Sequence, residues 1–218
     1  MTAEKAPDAG PTHAAHPRSR TQRRVQATRR QIIDAARGIL ATDGADALTL
    51  DGVAERADVA VQTIYNRIGG RSTLLLAVAE QAMLESRGYM DAAYEAVGAP
   101  EDRLVLAATA YARFARECPQ EFRILVEPPD LPEAVSKIAE LTRIQNAKLA
   151  RTIRDGMEAG TIRADLDPEA LATVFWATMN GLLALTWRPG ALQSSEGHLD
   201  QLLEAYIATM TAGLRPTG

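Results

Sequence analysis

A chain of 218 residues, 46% hydrophobic and 24% charged, has the balance of a globular protein with room for one large domain or a small one joined to a larger. Its one cysteine, Cys118, excludes an internal disulfide framework, and no unbroken apolar run approaches the roughly 18 residues of a membrane span. With no apolar segment ahead of a cleavage site near the N-terminus, a cytoplasmic protein without a membrane partner is expected. The net charge of −4 is uneven: residues 1–75 carry +3 and the remainder −7.

Residues 1–20 hold Pro, Ala, Gly and His without periodicity and read as a disordered arm. Six arginines between Pro17 and Arg30, with no acid among them, suit a polyanion-facing arm or a solvated tail equally well. A first helix is predicted from about Gln22 to Asp43, with Val25, Ile32, Ala36, Ile39 and Leu40 at helical spacing and Gly44 as its stop. Thr49 offers an N-cap for a second helix over about 50–57, and a third is predicted over 61–67, broken by Gly69-Gly70. A fourth runs from about Arg71 to Tyr89.

The rest keeps the helical period. Leu104, Ala108, Tyr111, Ala115 and Cys118 form a stripe that Pro119 ends, followed by a short segment around Phe122–Val126 and the Pro128-Pro129 loop. Ile138, Leu141, Ile144, Leu149, Ile153 and Met157 mark a long helix closed at Gly160. Asp167-Pro168 opens another, which Pro189-Gly190 stops, and a last one carries Leu199 to Leu214. No strand alternation or fixed repeat appears. The expectation is an all-α protein of about nine helices: an arm (1–20), a three-helix unit (21–70) and a longer bundle (71–218).

Two short helices joined by a tight turn form a helix-turn-helix, whose second helix sits on the first while its outer face enters the DNA major groove. Val53, Ala54, Val59, Ile64 and Ile68 can make the small core. That leaves Gln62, Thr63, Tyr65, Asn66 and Arg67 outward. Gln and Asn pair with adenine edges, Thr reaches a base or a thymine methyl, and Tyr and Arg suit phosphates.

The stretch "RRQIIDAARGILATDGADALTLDGVAERADVAVQTIYNRIGGRSTLLLAVAE" resembles the TetR-type bacterial transcriptional regulators. Ile32, Ala35, Ala36, Gly44, Leu48, Thr49, Val53, Ala54, Ala57, Val59, Thr63, Tyr65 and Leu74 stand in register with that family's pattern. The departures are Asp58 for the turn glycine, Ala60 for a serine cap, Gln62 for a glycine, Arg67-Ile68 for His-Phe and Arg71 for Lys. The basic block, the outward face of the third helix and the resemblance together give an expected DNA-facing set of Arg23, Arg24, Thr49, Gln62, Thr63, Tyr65, Asn66, Arg67 and Arg71. The resemblance further implies a homodimer joined by the last two helices, at about 168–187 and 197–214, reading a pseudo-palindromic operator on double-stranded DNA. Repression is the family's usual mode, and release from the operator by a small apolar effector is expected here.

"FWATMNGLLAL" resembles more weakly the WHG subclass of that family, with Asn180 in place of its histidine. Tyr111, Phe114, Phe122, Trp176, Met179 and Asn180 are the candidate wall of an effector pocket, and Arg143 and Gln145 could join it or lie on the surface. Asn180 could equally be a satisfied interhelical contact.

Enzyme chemistry finds no footing: there is no glycine-rich phosphate loop, no His-x-x-x-His pair and no cysteine cluster. His13 and His16 lie in the arm and His198 stands alone, so no metal or other cofactor is expected. The rival to a DNA-binding regulator is a helical dimer that binds a protein partner and no operator. The polar outer face of residues 62–67 favours base edges over an apolar groove.

Overall fold

The computed structural model describes residues 20–44 and 46–216, and every regular element among them is helical. In chain order these are α1 (Arg20–Asp43), α2 (Leu50–Arg56), α3 (Val61–Arg67), α4 (Arg71–Tyr94), α5 (Pro100–Glu117), α6 (Pro119–Val126), α7 (Pro132–Glu158), α8 (Pro168–Ala184) and α9 (Glu196–Gly213). Short 3-10 turns at Leu185–Trp187 and Gly190–Leu192 join the last two. The all-α architecture expected from periodicity is therefore the one observed. His13, His16, Arg18 and nearly all of the expected arm lie outside the described residues.

The ends of the helices follow from local chemistry. Gly44 adopts φ +82° and donates its N–H to Leu40 at 3.2 Å, closing α1. Proline sits in the first turn of α5, α6, α7 and α8, where its missing N–H costs no helical bond. Asp167 accepts from the Ala170 N–H at 2.7 Å and Ser195 from the His198 N–H at 3.3 Å, capping α8 and α9. Two helices are longer than their apolar stripes suggest. α4 continues past Tyr89 to Tyr94, because no stop signal precedes Gly98, and α7 begins at Pro132 instead of near Ile138.

α4 is apolar on several sides, as an axial helix must be. It packs against α1, α5, α6 and α7, and buries Leu74, Leu75, Ala77, Val78, Ala79, Ala82, Ser86, Met90 and Ala93. One hydrophobic cluster runs from Ile32, Ile33 and Ala36 of α1 through Val53 and Ile64 to Leu74 and Val78, and on to Ile124 of α6 and Ile138 of α7. The three-helix unit is thus seated directly on the bundle.

α8 and its 3-10 extension, Pro168–Trp187, correct one expectation. These 20 residues have a mean hydropathy of 1.3, long and apolar enough by length and composition to cross a membrane. Thr173, Thr178 and Asn180 interrupt the apolar residues, so a search for unbroken runs passes over them. Only 22% of this apolar window is buried within the chain.

Candidate nucleic-acid interface and internal cavity

Thr49 ends an extended segment at φ −114°, ψ 153°, and its hydroxyl accepts the Gly52 N–H at 3.1 Å, starting α2. α2 closes in a double-bonded turn: Val59 N–H reaches Ala54 at 3.0 Å and Asp58 N–H reaches Glu55 at 3.2 Å. This closure demands a left-handed residue, and Asp58 supplies it at φ +50°, where glycine would be unstrained. Ala60 begins α3 with no side-chain cap. Gln31 of α1 donates to the Ala57 carbonyl at 2.8 Å and fixes the turn from behind.

Ile64, fully buried, pins α3 to the core. The opposite face carries Gln62, Tyr65, Asn66 and Arg67, all exposed, with Tyr65 at 52%, while Thr63 is half-buried. Gln62 Nε2 donates to Asn66 Oδ1 at 3.1 Å, so the two amides hold each other one helical turn apart. Arg71, at the start of α4, donates from Nε to the Leu48 carbonyl at 2.9 Å and ties the loop before α2 to the helix after α3. Arg23 and Arg24 are exposed at the start of α1, which packs on both α2 and α3.

Behind this unit lies a charged junction that the sequence did not single out. Arg37 of α1 pairs with Glu121 of α6 and, at 3.0 Å, with Glu85 of α4. Gln81 also donates to Glu85 at 2.8 Å. Burial pushes the Glu121 carboxyl above its ordinary range, against the opposing pull of Arg37. Glu85, Cys118 and Glu121 bring three potential metal-ligand atoms within 4.8 Å, but the Arg37 guanidinium is already the counter-ion of both carboxylates.

Among α4, α5, α7, α8 and α9 lies a cavity of about 70 Å³ open to the centres of water molecules. Tyr111, Trp176 and Met179 are on its wall, as is Gln145. Phe114 and Phe122 are not: both are fully buried, stacked edge to face at 6.0 Å in an aromatic cluster behind Tyr111. Asn180 is off the wall as well and accepts the Tyr111 hydroxyl at 2.7 Å, while Trp176 hydrogen-bonds to the same tyrosine. Arg143 is exposed and paired with Glu140 at 2.7 Å. Wall residues that sequence reasoning did not pick include Met90, Tyr94, Thr142, Asn146 and Tyr206.

A helix whose exposed face carries two amides, a phenol and a guanidinium, held out by a helix-turn-helix and joined by one long rod to a cavity-bearing bundle, defines a DNA-binding regulator with a sensory domain. Comparison with known proteins gives the family. The model for bacterial regulatory proteins of the tetR family matches residues 32–78, and that for the tetracyclin repressor-like C-terminal domain matches residues 102–193. The chain belongs to the TetR family of bacterial transcriptional regulators.

Solved structures agree in fold. A regulatory protein of the tetR family from Rhodococcus RHA1 aligns at a TM-score of 0.71 and 22% identity, covering 88% of this chain and 98% of its own. PfmR from Thermus thermophilus aligns at 0.69 and 21%, covering 87% and 97%. FadR from Bacillus subtilis, solved in complex with stearoyl-CoA, aligns at 0.72 and 18%, covering 85% and 99%. No curated protein sequence matches.

Proposed function

We propose that this regulator is a homodimeric repressor that leaves a pseudo-palindromic operator when a small, mainly apolar effector fills the internal cavity. The observation that carries this is the span of α4. It starts beside α3, anchored through Arg71, and it contributes Ser86, Met90 and Tyr94 to the cavity wall. An effector that prefers one tilt of α4 therefore biases the placement of α3, which is a coupling free energy between two sites. The FadR complex with stearoyl-CoA supports an apolar ligand for this fold.

Residues 21–70 act as the DNA-binding unit and 71–218 as the sensory and dimerising unit. Gln62, Thr63 and Asn66 read base edges, and Tyr65, Arg67, Arg71, Thr49, Arg23 and Arg24 lie on or near phosphates. Dimerisation uses α8 and α9. The uncovered apolar surface of α8 supports this, with Val174 at 55% exposure and Gly181 facing open space. Two-fold symmetry then sets the α3 helices about 34–36 Å apart, one turn of DNA. The protein acts on chromosomal DNA in the cytoplasm.

The deciding experiment is DNase footprinting on DNA flanking the protein's own gene, at about physiological salt because phosphate contacts make affinity salt-dependent. A protected two-fold site, lost in Tyr65→Ala and Arg67→Ala, is expected. A well-folded dimer that protects no sequence across a genome-wide binding selection overturns the operator-binding role.

A further inference from the structure

The cavity wall carries no formal charge. Its polar groups are hydroxyls and amides, and burial pushes the phenols of Tyr94, Tyr111 and Tyr206 above their ordinary value, so they remain protonated. A carboxylate or ammonium entering this space would lose its hydration and meet no counter-ion. The ligand part that fills the cavity is therefore uncharged.

Gln145 adds a directional demand. It lines the cavity, and both its amide atoms are shut off from solvent without a well-aligned hydrogen bond in the chain. Behind it stands Asp91, which takes a 2.6 Å hydrogen bond from Lys148 Nζ. Burial pushes the Asp91 carboxyl up, but Lys148, the Gln145 amide and the Arg87 charge outweigh it and hold it below the usual range. Only the amide nitrogen of Gln145 can face that carboxylate favourably, because turning the amide over would set oxygen against oxygen. The Asp91–Lys148 pair thus fixes the orientation of the amide. Its carbonyl oxygen is left as a buried acceptor in want of a donor, a state proteins avoid. Phe175, Trp176 and Met179 of α8 line the same cavity as Thr142, Gln145 and Asn146 of α7.

We infer that the effector fills the cavity with an uncharged, mainly apolar part bearing a hydroxyl or N–H group that donates to Gln145 Oε1. This rests on the effector-cavity role proposed above and adds its ligand class. The acceptor rejects ethers and hydrocarbons of the same shape, which leave it unpaired, and the uncharged wall rejects carboxylates.

Calorimetric titration of the full chain with 2-naphthol, 2-methoxynaphthalene and 2-naphthoate tests both demands on one ring frame. The naphthol is expected to bind about tenfold more tightly than the ether, and the naphthoate more weakly than either. Gln145→Leu keeps the volume and removes the acceptor. It is expected to abolish the naphthol preference, leave ether binding intact and raise the melting temperature of the ligand-free protein. Equal binding of naphthol and ether, or a preference that survives Gln145→Leu, overturns the donor inference and leaves the cavity's role standing. Binding by none of the three overturns the cavity's role along with the inference.

Discussion

Arg37, on the first helix of the DNA-binding unit, is the counter-ion of Glu121, a carboxylate on α6 that is only 2% exposed. With Glu85 as the second partner, this guanidinium joins α1, α4 and α6 where the two units meet. A buried ion pair adds little net stability over an apolar pair, but removing one partner leaves an uncompensated charge. Arg37→Met is therefore expected to cost on the order of 3–5 kcal/mol in urea denaturation. Glu121→Gln should cost less, because it leaves the cation a second carboxylate. Glu121 also sets a sign with pH. Its folded pKa is raised, so its contribution is fully present below the ordinary carboxylate value of 4.5 and is lost as pH rises through the folded value. The deficit of Arg37→Met, which lacks the cation opposing that rise, should shrink as pH falls from about 7 towards 5.

The exposed face of α3 separates binding from folding. Tyr65→Ala and Arg67→Ala should each change stability by no more than about 0.5 kcal/mol. Arg67→Ala should lower the salt slope of operator binding by about 1, measured by titration at several salt concentrations. Gln62→Ala and Asn66→Ala should relax base preference at single positions, costing about 1–3 kcal/mol there. Because the two amides hydrogen-bond at 3.1 Å, their effects should not add, which a double-mutant cycle on DNA binding checks.

The turn between α2 and α3 invites stabilisation. Ala60 leaves the start of α3 without a side-chain cap, so Ala60→Ser should gain about 1 kcal/mol in thermal or chemical denaturation. Asp58 at φ +50° tolerates its conformation as few residues do, and Asp58→Val should lose about 1–2 kcal/mol. Thr49→Ala removes the cap on Gly52 and should lose about 1 kcal/mol.

The bare flank of α8 bears on assembly. Val174 and Gly181 touch little within the chain, so Val174→Glu and Gly181→Leu should leave the fold of one subunit intact. Each is expected to weaken the dimer at least about tenfold in sedimentation equilibrium, equivalent to roughly 1.4 kcal/mol. An unchanged dimer in both variants would move the interface elsewhere.

The helix-turn-helix was legible in the sequence because its signals are local. Thr49 before Leu50, Asp58 at the turn, the Gly69-Gly70 break and the inward spacing of Val53 and Ile64 each declare themselves within a few residues. The cavity was legible only in part. Period identifies the inward face of a helix, but not whether the facing helices close upon each other. Phe114 and Phe122 are enclosed in core with Trp187 beside them, whereas Tyr111, Trp176 and Met179 reach the cavity wall. Gln145 and Arg143 sit two residues apart with similar polarity, yet one is on the cavity wall and the other is in solvent. The junction at Arg37 gave no warning, because Glu85 and Glu121 lie 48 and 84 positions away from it.

The uninterrupted length of α4 has a mechanical consequence. Its 24 residues make a strut about 36 Å long. Pivoted at its cavity end through only about 5°, such a strut sweeps its far tip by about 3 Å, the length of a hydrogen bond. On the function proposed above, a nudge no larger than the slack around a bound effector would be magnified into a displacement large enough to take Gln62 and Asn66 out of reach of a base edge. The gain belongs to the geometry of one unbroken helix, and a glycine pair or proline set midway along it would dissipate the motion as bending.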